Sequence, residues 1–437
     1  MRKFLLKILS WINRNHITDR RGRAEISRSC DTIASDTRDM ASQCPILHHE
    51  QSHSFVSEPC PFCGSENFVK RGTRKKKLEI VQLYLCRDCN RTFTAQSVKG
   101  KHYPLKVVIE GMSYHNLGFT LEDSCRLLSQ KFGVNPGAST LGGWVTQYSG
   151  LCRYARIRPY AVKMCRPEET VEVTTMAHRQ LYRFRYHRPK LNLIISEHYK
   201  HRRFEALKDY LDAVSSETPH QYFQDGLRIS EIRSKFDKAQ MIVKSKHNYA
   251  NELARFCLQA VKENKQRHEE LQRFMIANDS VTVATEVPVY IRKEDIEHME
   301  NQLNFKILDG VEIQVKGKKT KGDFMSKTGS MSGWGRLLTG HIDIIQVRNG
   351  MCHLLDYKPN AAKEKPIEQL TWYAMALSRL TGLRLYEFKC GWFDEKDYFE
   401  FYPLHVVKKI SNRKRKKIYF KSGMTVKIPE ENKIVVA

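Results

Sequence analysis

Residues 340–358 read Gly-His-Ile-Asp-Ile-Ile-Gln-Val-Arg-Asn-Gly-Met-Cys-His-Leu-Leu-Asp-Tyr-Lys. Asn349-Gly350 between two apolar runs predicts a two-residue hairpin turn, because both residue types accept positive φ. Such a turn pairs Arg348 with Met351. Counting outward sets Asp343 opposite Asp356 and His341 opposite Lys358. Side chains alternate along a strand, so His341, Asp343, Asp356 and Lys358 are expected on one face and Ile342, Ile344, Leu355 and Tyr357 on the other. Two facing carboxylates repel, and a divalent cation between them reverses the sign. Oxygen ligands suit magnesium or manganese, which activates water and stabilises charge on a phosphate. Lys358 would orient the attacking water or offset developing charge. Asp-x-Lys alone recurs by chance, and a hairpin with a solvated charged face is the plainer account. The register weighs against it by clustering four polar groups.

A second constellation is sulfur-based. Cys60 and Cys63, then Cys86 and Cys89 after 22 intervening residues, form two C-x-x-C knuckles. Four thiolates supply a tetrahedral zinc site and leave no open position for catalysis, so the metal is expected to be structural. Gly64 permits the tight knuckle, and residues 78–85 read as a strand. Arg71, Arg74, Lys75, Lys76 and Lys77 form a basic loop suited to phosphates; protein docking is the other common use of such a ribbon. The remaining eight of twelve cysteines are scattered, which fits a reducing compartment.

Around these sites stand the elements that must position them. Residues 101–155 hold three helical patterns: one opening near Pro104, one at Thr120 with Asp123 at its capping position, one at Ser139. Three short helices can set the third in a major groove, offering Thr140, Thr146 and Gln147; a bundle that only packs is the alternative. Residues 246–277 read as a long helical segment. Residues 280–358 carry strand and turn signals, and Pro366 to Gly382 bound a helix with Gln369 and Tyr373 on one face. Residues 160–245, with alternating bases and aromatics from His178 to Arg188, suit stacking on single strands or the basic edge of a linker domain. Residues 1–57 lack periodicity and are expected to be mostly disordered; the tail from 411 to 437 is basic.

Composition bounds the partner. Lys and Arg number 74 against 48 Asp and Glu, a formal charge of +26, which argues for a polyanion such as DNA. No apolar run reaches the roughly 18 residues of a membrane span. Residues 1–11 resemble a signal core, but Lys7 interrupts it and no small-residue cleavage site follows. A cytoplasmic, nucleoid-associated location is therefore expected.

Two resemblances follow from these motifs. The order CPFCGS, CRDCNRTF, LGFTLEDSCRLLSQKFGV and STLGGWVTQYS over residues 58–150 resembles the N-terminal DNA-binding region of insertion-sequence transposases, which implies a zinc ribbon and helix-turn-helix that bind DNA. No DDE triad is found; the segment around Glu172, where a first Asp is expected, has none. Gly340-x-x-Asp343, Asp356-x-Lys358 and Gln369-x-x-x-Tyr373 over 246–405 are similar to the RecB-like branch of the PD-(D/E)xK nucleases. That resemblance implies that Asp343 and Asp356 bind Mg2+ or Mn2+, that Lys358 is catalytic, and that Gln369 and Tyr373 shape the site. An upstream acidic ligand is also implied. Glu286 is the choice and Glu270 the reserve, with His341 a further candidate ligand. Only Cys390 follows the lysine, so no iron–sulfur cluster is expected.

The expected architecture is multidomain α+β: a ribbon at 58–98, a helix-turn-helix at 101–155, a basic linker at 160–245, and an α/β restriction-endonuclease-like core with a central mixed sheet at 246–410. The expected activity is metal-dependent DNA cleavage, in a setting of mobile elements or genome defence. A transposase-derived DNA-binding protein without cleavage, or a DDE transposase, are the alternatives.

Overall fold

The computed structural model describes residues 59–75, 78, 80–94, 102–231, 236, 242–261, 263–307 and 337–408. The expectations for 1–57, Lys76, Lys77 and 411–437 lie outside these residues. The fold is α+β with a mixed central sheet.

Three strands form the cysteine-bearing unit: β1 (Phe68–Lys75), β2 (Ile80–Cys86) and β3 (Thr92–Phe93), ordered β1-β2-β3. Arg71, Arg74 and Lys75 were expected in a loop. They lie exposed on β1, an edge strand. Gly72, at φ 83, marks a register shift between Lys70 and Thr73 that lets the basic run continue as strand.

Three helices follow: α1 (Leu105–Leu117), α2 (Leu121–Phe132) and α3 (Ala138–Gln147). Thr120 caps α2 by accepting the Asp123 N–H at 3.0 Å, and Gly133 ends it in the left-handed region at φ 65. Leu128, Leu141 and Trp144 join the helices into one core.

The segment 160–245 is not a linker. It supplies β4 (Glu172–His178) and β5 (Gln180–Tyr186), helices α4 (Arg188–Glu197), α5 (Glu205–Glu217) and α6 (His220–Asp225), and short strands β6 (Leu227–Arg228) and β7 (Lys244–Ser245). The basic residues of β5 obscure its strand pattern, yet Phe184 and Tyr186 are fully buried. Residues 246–277 form two helices, α7 (Tyr249–Leu258) and α8 (Arg267–Asn278), rather than one. Then come β8 (Thr282–Arg292), α9 (Lys293–Asn301), β9 (Leu337–Arg348), β10 (Met351–Tyr357), α10 (Ile367–Thr381), β11 (Phe388–Phe393) and β12 (Tyr398–Phe401).

Among the described residues nine strands make the central sheet, ordered β4-β5-β8-β9-β10-β11-β12-β7, with β6 beside β9. β10 and β11 are parallel, as are β6 and β9; the other pairs are antiparallel. Both faces are covered. α4, α5 and α10 share one core with Ile345, Val347, Cys352 and Leu354. α7, α8 and the three-helix unit share the other with Ile344, Leu355 and Tyr357. The helices of 101–155 are thus packed onto the sheet-bearing half. Glu110 of α1 is buried and accepts Lys131 at 2.7 Å and Arg273 of α8, while Asn116 donates to Asn278 at 2.7 Å.

Candidate functional site

The hairpin forms as its turn residues dictate. Asn349 and Gly350 have φ of 53° and 71°, the pair of positive values that a type I′ turn requires. Arg348 pairs with Met351 and Ile344 with Leu355. One step further, the same count puts Asp343 opposite Asp356. On the other side of β9, Thr285 pairs with Ile344 and Val287 with Ile342, which puts Glu286 opposite Asp343. Three carboxylates therefore stand in one row across β8, β9 and β10.

The row sits at a break in the sheet. Glu286 has φ 51°, a left-handed conformation that costs a non-glycine residue about 1–3 kcal/mol. The regular alternation expected for β9 fails here: Ile344 packs in one core and Ile342 in the other. The expectation of a single face for Ile342, Ile344, Leu355 and Tyr357 is corrected for Ile342. The change of face falls beside the left-handed Glu286 of β8, and composition gives no sign of it.

Burial makes these charges costly. Asp356 is 2 % exposed. Lys358 Nζ is 2.9 Å from its Oδ2, an ion pair, and the Asp343 carboxyl stands beside it. Burial and the neighbouring Asp343 charge push the Asp356 carboxyl well above the usual range, against the pull of Lys358. Burial also raises Asp343, but His268, with Nδ1 3.4 Å from Oδ2, and the charge of Lys358 hold it below the usual range. Glu286 is pushed up to about 8 by burial and then by Asp343, although Gln272 donates to it at 2.7 Å. Like charges this close do not all ionise without a cation. A buried carboxylate faced by one ammonium and a second carboxylate is a donor set that a hard cation would satisfy.

Two helices close on the row. α8 brings His268 and Gln272 to Asp343 and Glu286. α10 brings Gln369, which donates to the Tyr373 hydroxyl at 2.9 Å. Tyr373 lies over Gly340, and with Asp343 and Glu286 it borders a cavity of about 210 Å3. His341 also borders this cavity, but its Nε2 is 2.8 Å from His178 Nδ1 and its ring stacks on Tyr182. The reserve acid Glu270 lies on α8, 3.3 Å from Arg273. His178, His220, Tyr182, His268 and Gln272 were not singled out as site residues by sequence. The basic–aromatic run of β5 was the only local signal for any of them.

The four cysteine sulfurs form a separate centre. Cys60 and Cys89 Sγ are 3.6 Å apart, Cys63 and Cys86 Sγ 3.5 Å, and all four lie within 4.8 Å of one another. Tetrahedral corners on bonds of about 2.3 Å are about 3.7 Å apart, so the four sulfurs could hold zinc. Among the described residues this is the only group of three or more His, Cys, Asp or Glu gathered so tightly. The carboxylate row is more open. Thr140, Thr146 and Gln147 are exposed on α3. No helix among the described residues is long and apolar enough to cross a membrane.

The chain matches no protein-family model, no curated protein and no solved structure.

Proposed function

We propose that this protein is a magnesium- or manganese-dependent DNA nuclease of the PD-(D/E)xK type, carried to DNA by its cysteine ribbon and its three-helix unit. The observation that carries this reading is the row Glu286, Asp343, Asp356 with Lys358 at its Asp356 end. Glu286, Asp343 and Asp356 would hold the ion, which lowers the pKa of bound water and offsets charge on the scissile phosphate. His268 keeps Asp343 ionised. Gln272 orients Glu286 by its hydrogen bond. Lys358 places a positive charge beside Asp356, where it can hold water or meet charge developing on a phosphate oxygen. Gln369 and Tyr373 form a hydrogen-bonded wall. Arg71, Arg74 and Lys75 on β1 and the exposed Thr140, Thr146 and Gln147 of α3 are the candidate DNA contacts, the first set to phosphates and the second in a groove.

One observation favours a second reading, a DNA-binding protein that keeps the core as a scaffold: among the described residues no three acids close around one point as the cysteines do. Cleavage of labelled single- and double-stranded DNA with magnesium, manganese or EDTA, beside Asp356→Ala, separates the two. Metal-dependent cutting lost in the variant, with DNA binding retained, is expected. A folded, zinc-loaded chain that binds DNA and never cuts it would establish the scaffold reading. Strand-transfer products from end-containing DNA would point instead to a transposase.

A further inference from the structure

The cavity beside the acidic row is lined by Glu286, Asp343, Gln369 and Tyr373, yet it extends past them to residues that the carboxylate–lysine chemistry above does not use. Four aromatic rings, those of His178, Tyr182, Phe223 and His341, share the rest of its wall with polar side chains that include Arg228. Tyr182 stacks on His341 with ring centres 3.6 Å apart and planes 6° apart; Phe223 stacks on His178 at 4.0 Å and 10°. These rings are fixed in place. His178 is bridged to His341 and His220 at 2.8 Å on either side, and the Tyr182 hydroxyl accepts from Arg228, which also donates to Gln180 at 3.3 Å. A preformed aromatic wall loses little freedom when a flat ligand enters.

Size and charge narrow the ligand. The volume of about 210 Å3 is several times the ~30 Å3 of a water, but below the roughly 300–1,000 Å3 of sites for drug-sized molecules. Its size suits one planar heterocycle better than a base pair in its stack. A cation held by Glu286 and Asp343 would draw a phosphate to the acidic row and leave the rest of the cavity to a neutral ring. Arg228, on the wall, offers a cation to a phosphate flanking that ring. Bases of an intact duplex are held in their stack, whereas an unpaired base is free to turn out.

We propose that this cavity receives one unpaired base of the DNA strand whose phosphate lies at the acidic row, so that the chain acts on single-stranded or locally opened DNA. The proposal rests on the nuclease reading, because the acidic row positions the strand.

The test removes a base from the DNA before any side chain from the protein. Single-stranded oligonucleotides carrying an abasic residue at successive positions are cut by the full-length wild-type chain in magnesium or manganese. One position next to the cut is expected to slow cleavage roughly tenfold or more. Tyr182→Leu is expected to cause a similar loss on the intact strand and no further loss on that abasic strand, which a merely structural defect would not mimic. Equal cutting of the whole abasic series by an active wild-type chain overturns the proposal. If the wild-type chain cuts no DNA, the nuclease reading falls, and fluorescence of 2-aminopurine strands bound in calcium decides the pocket by itself. A position-specific change on binding supports it, and a flat response along the strand removes it.

Discussion

Gly340 lies directly beneath the ring of Tyr373: a Cβ at position 340 would stand 2.4 Å from Tyr373 Cε1. The Gly-x-x-Asp spacing therefore has a steric reason. The strand bearing Asp343 and the helix bearing Gln369 and Tyr373 approach so closely that only hydrogen fits between them. Gly340→Ala is expected to cost about 1–3 kcal/mol in chemical denaturation, since the ring has no flexible tail to yield. Gly340→Ala combined with Tyr373→Leu should recover part of that loss. A single variant as stable as the wild type would mean the approach is looser than the geometry implies.

The ribbon is expected to depend on its metal while the remainder does not. Its buried core holds Cys60, Cys86 and Phe93, with Phe68 and Tyr84 packed against them, too little apolar surface to fold without a ligand. One zinc per chain should be released by a strong chelator, with loss of the β1–β2–β3 signal in hydrogen exchange. The central sheet should stay protected. Simultaneous loss of protection in the sheet would show that the two are energetically one body.

Lys190 offers a pH test away from the acidic row. It is fully buried, donates to the Ile276 carbonyl at 2.5 Å and the Thr282 carbonyl at 2.9 Å, and burial pulls its pKa from 10.5 down to about 7, with Asp279 partly opposing. A neutral amine has two N–H donors, the number of carbonyls it faces. The folded chain therefore gives up this proton near pH 7, while the unfolded chain keeps it to about 10.5. Between those values the unfolded state binds more protons, so stability rises with pH; below pH 7 the burial cost is felt in full. The difference in unfolding free energy between wild type and Lys190→Met should shift in the wild type's favour by a few kcal/mol as pH rises through that window. A flat difference would mean that the lysine stays charged in the folded protein.

Helix α8 joins two parts of the molecule. Its His268 and Gln272 reach Asp343 and Glu286, and its Arg273 and Asn278 hold Glu110, Ser113 and Asn116 of α1. Glu110→Ala leaves Arg273 and Lys131 without their shared carboxylate and should cost about 1–3 kcal/mol, discounted because both cations are partly exposed. Urea denaturation measures that cost. Metal-dependent cutting is expected to fall along with it, through displaced His268 and Gln272. Unchanged stability would remove the ion pair as the joint between the two units.

The amino-acid sequence determined what is local. Asn349-Gly350 sets its own turn, and a two-residue turn leaves one register, so the pairing from Arg348 with Met351 to Ile344 with Leu355 follows by counting. The C-x-x-C knuckles bring their sulfurs together through short, constrained turns, and Thr120, Gly133 and Gly382 mark helix ends by their own backbone chemistry. Glu286 could be named as a candidate from its strand-like run. That it stands opposite Asp343, in a left-handed conformation, depends on a pairing between strands more than 50 positions apart, which no local rule supplies. The segment 160–245 read as a linker because its charges mask alternation, and only the sheet it joins shows which of its residues are inside. The same holds for Tyr182, His178 and Phe223, drawn to His341 by burial of ring surface across the fold, and for His268 and Gln272, which reach the acids only because α8 is clamped between the three-helix unit and the sheet. Local backbone preference specifies turns, caps and knuckles; the collective burial of apolar surface chooses which distant residues meet.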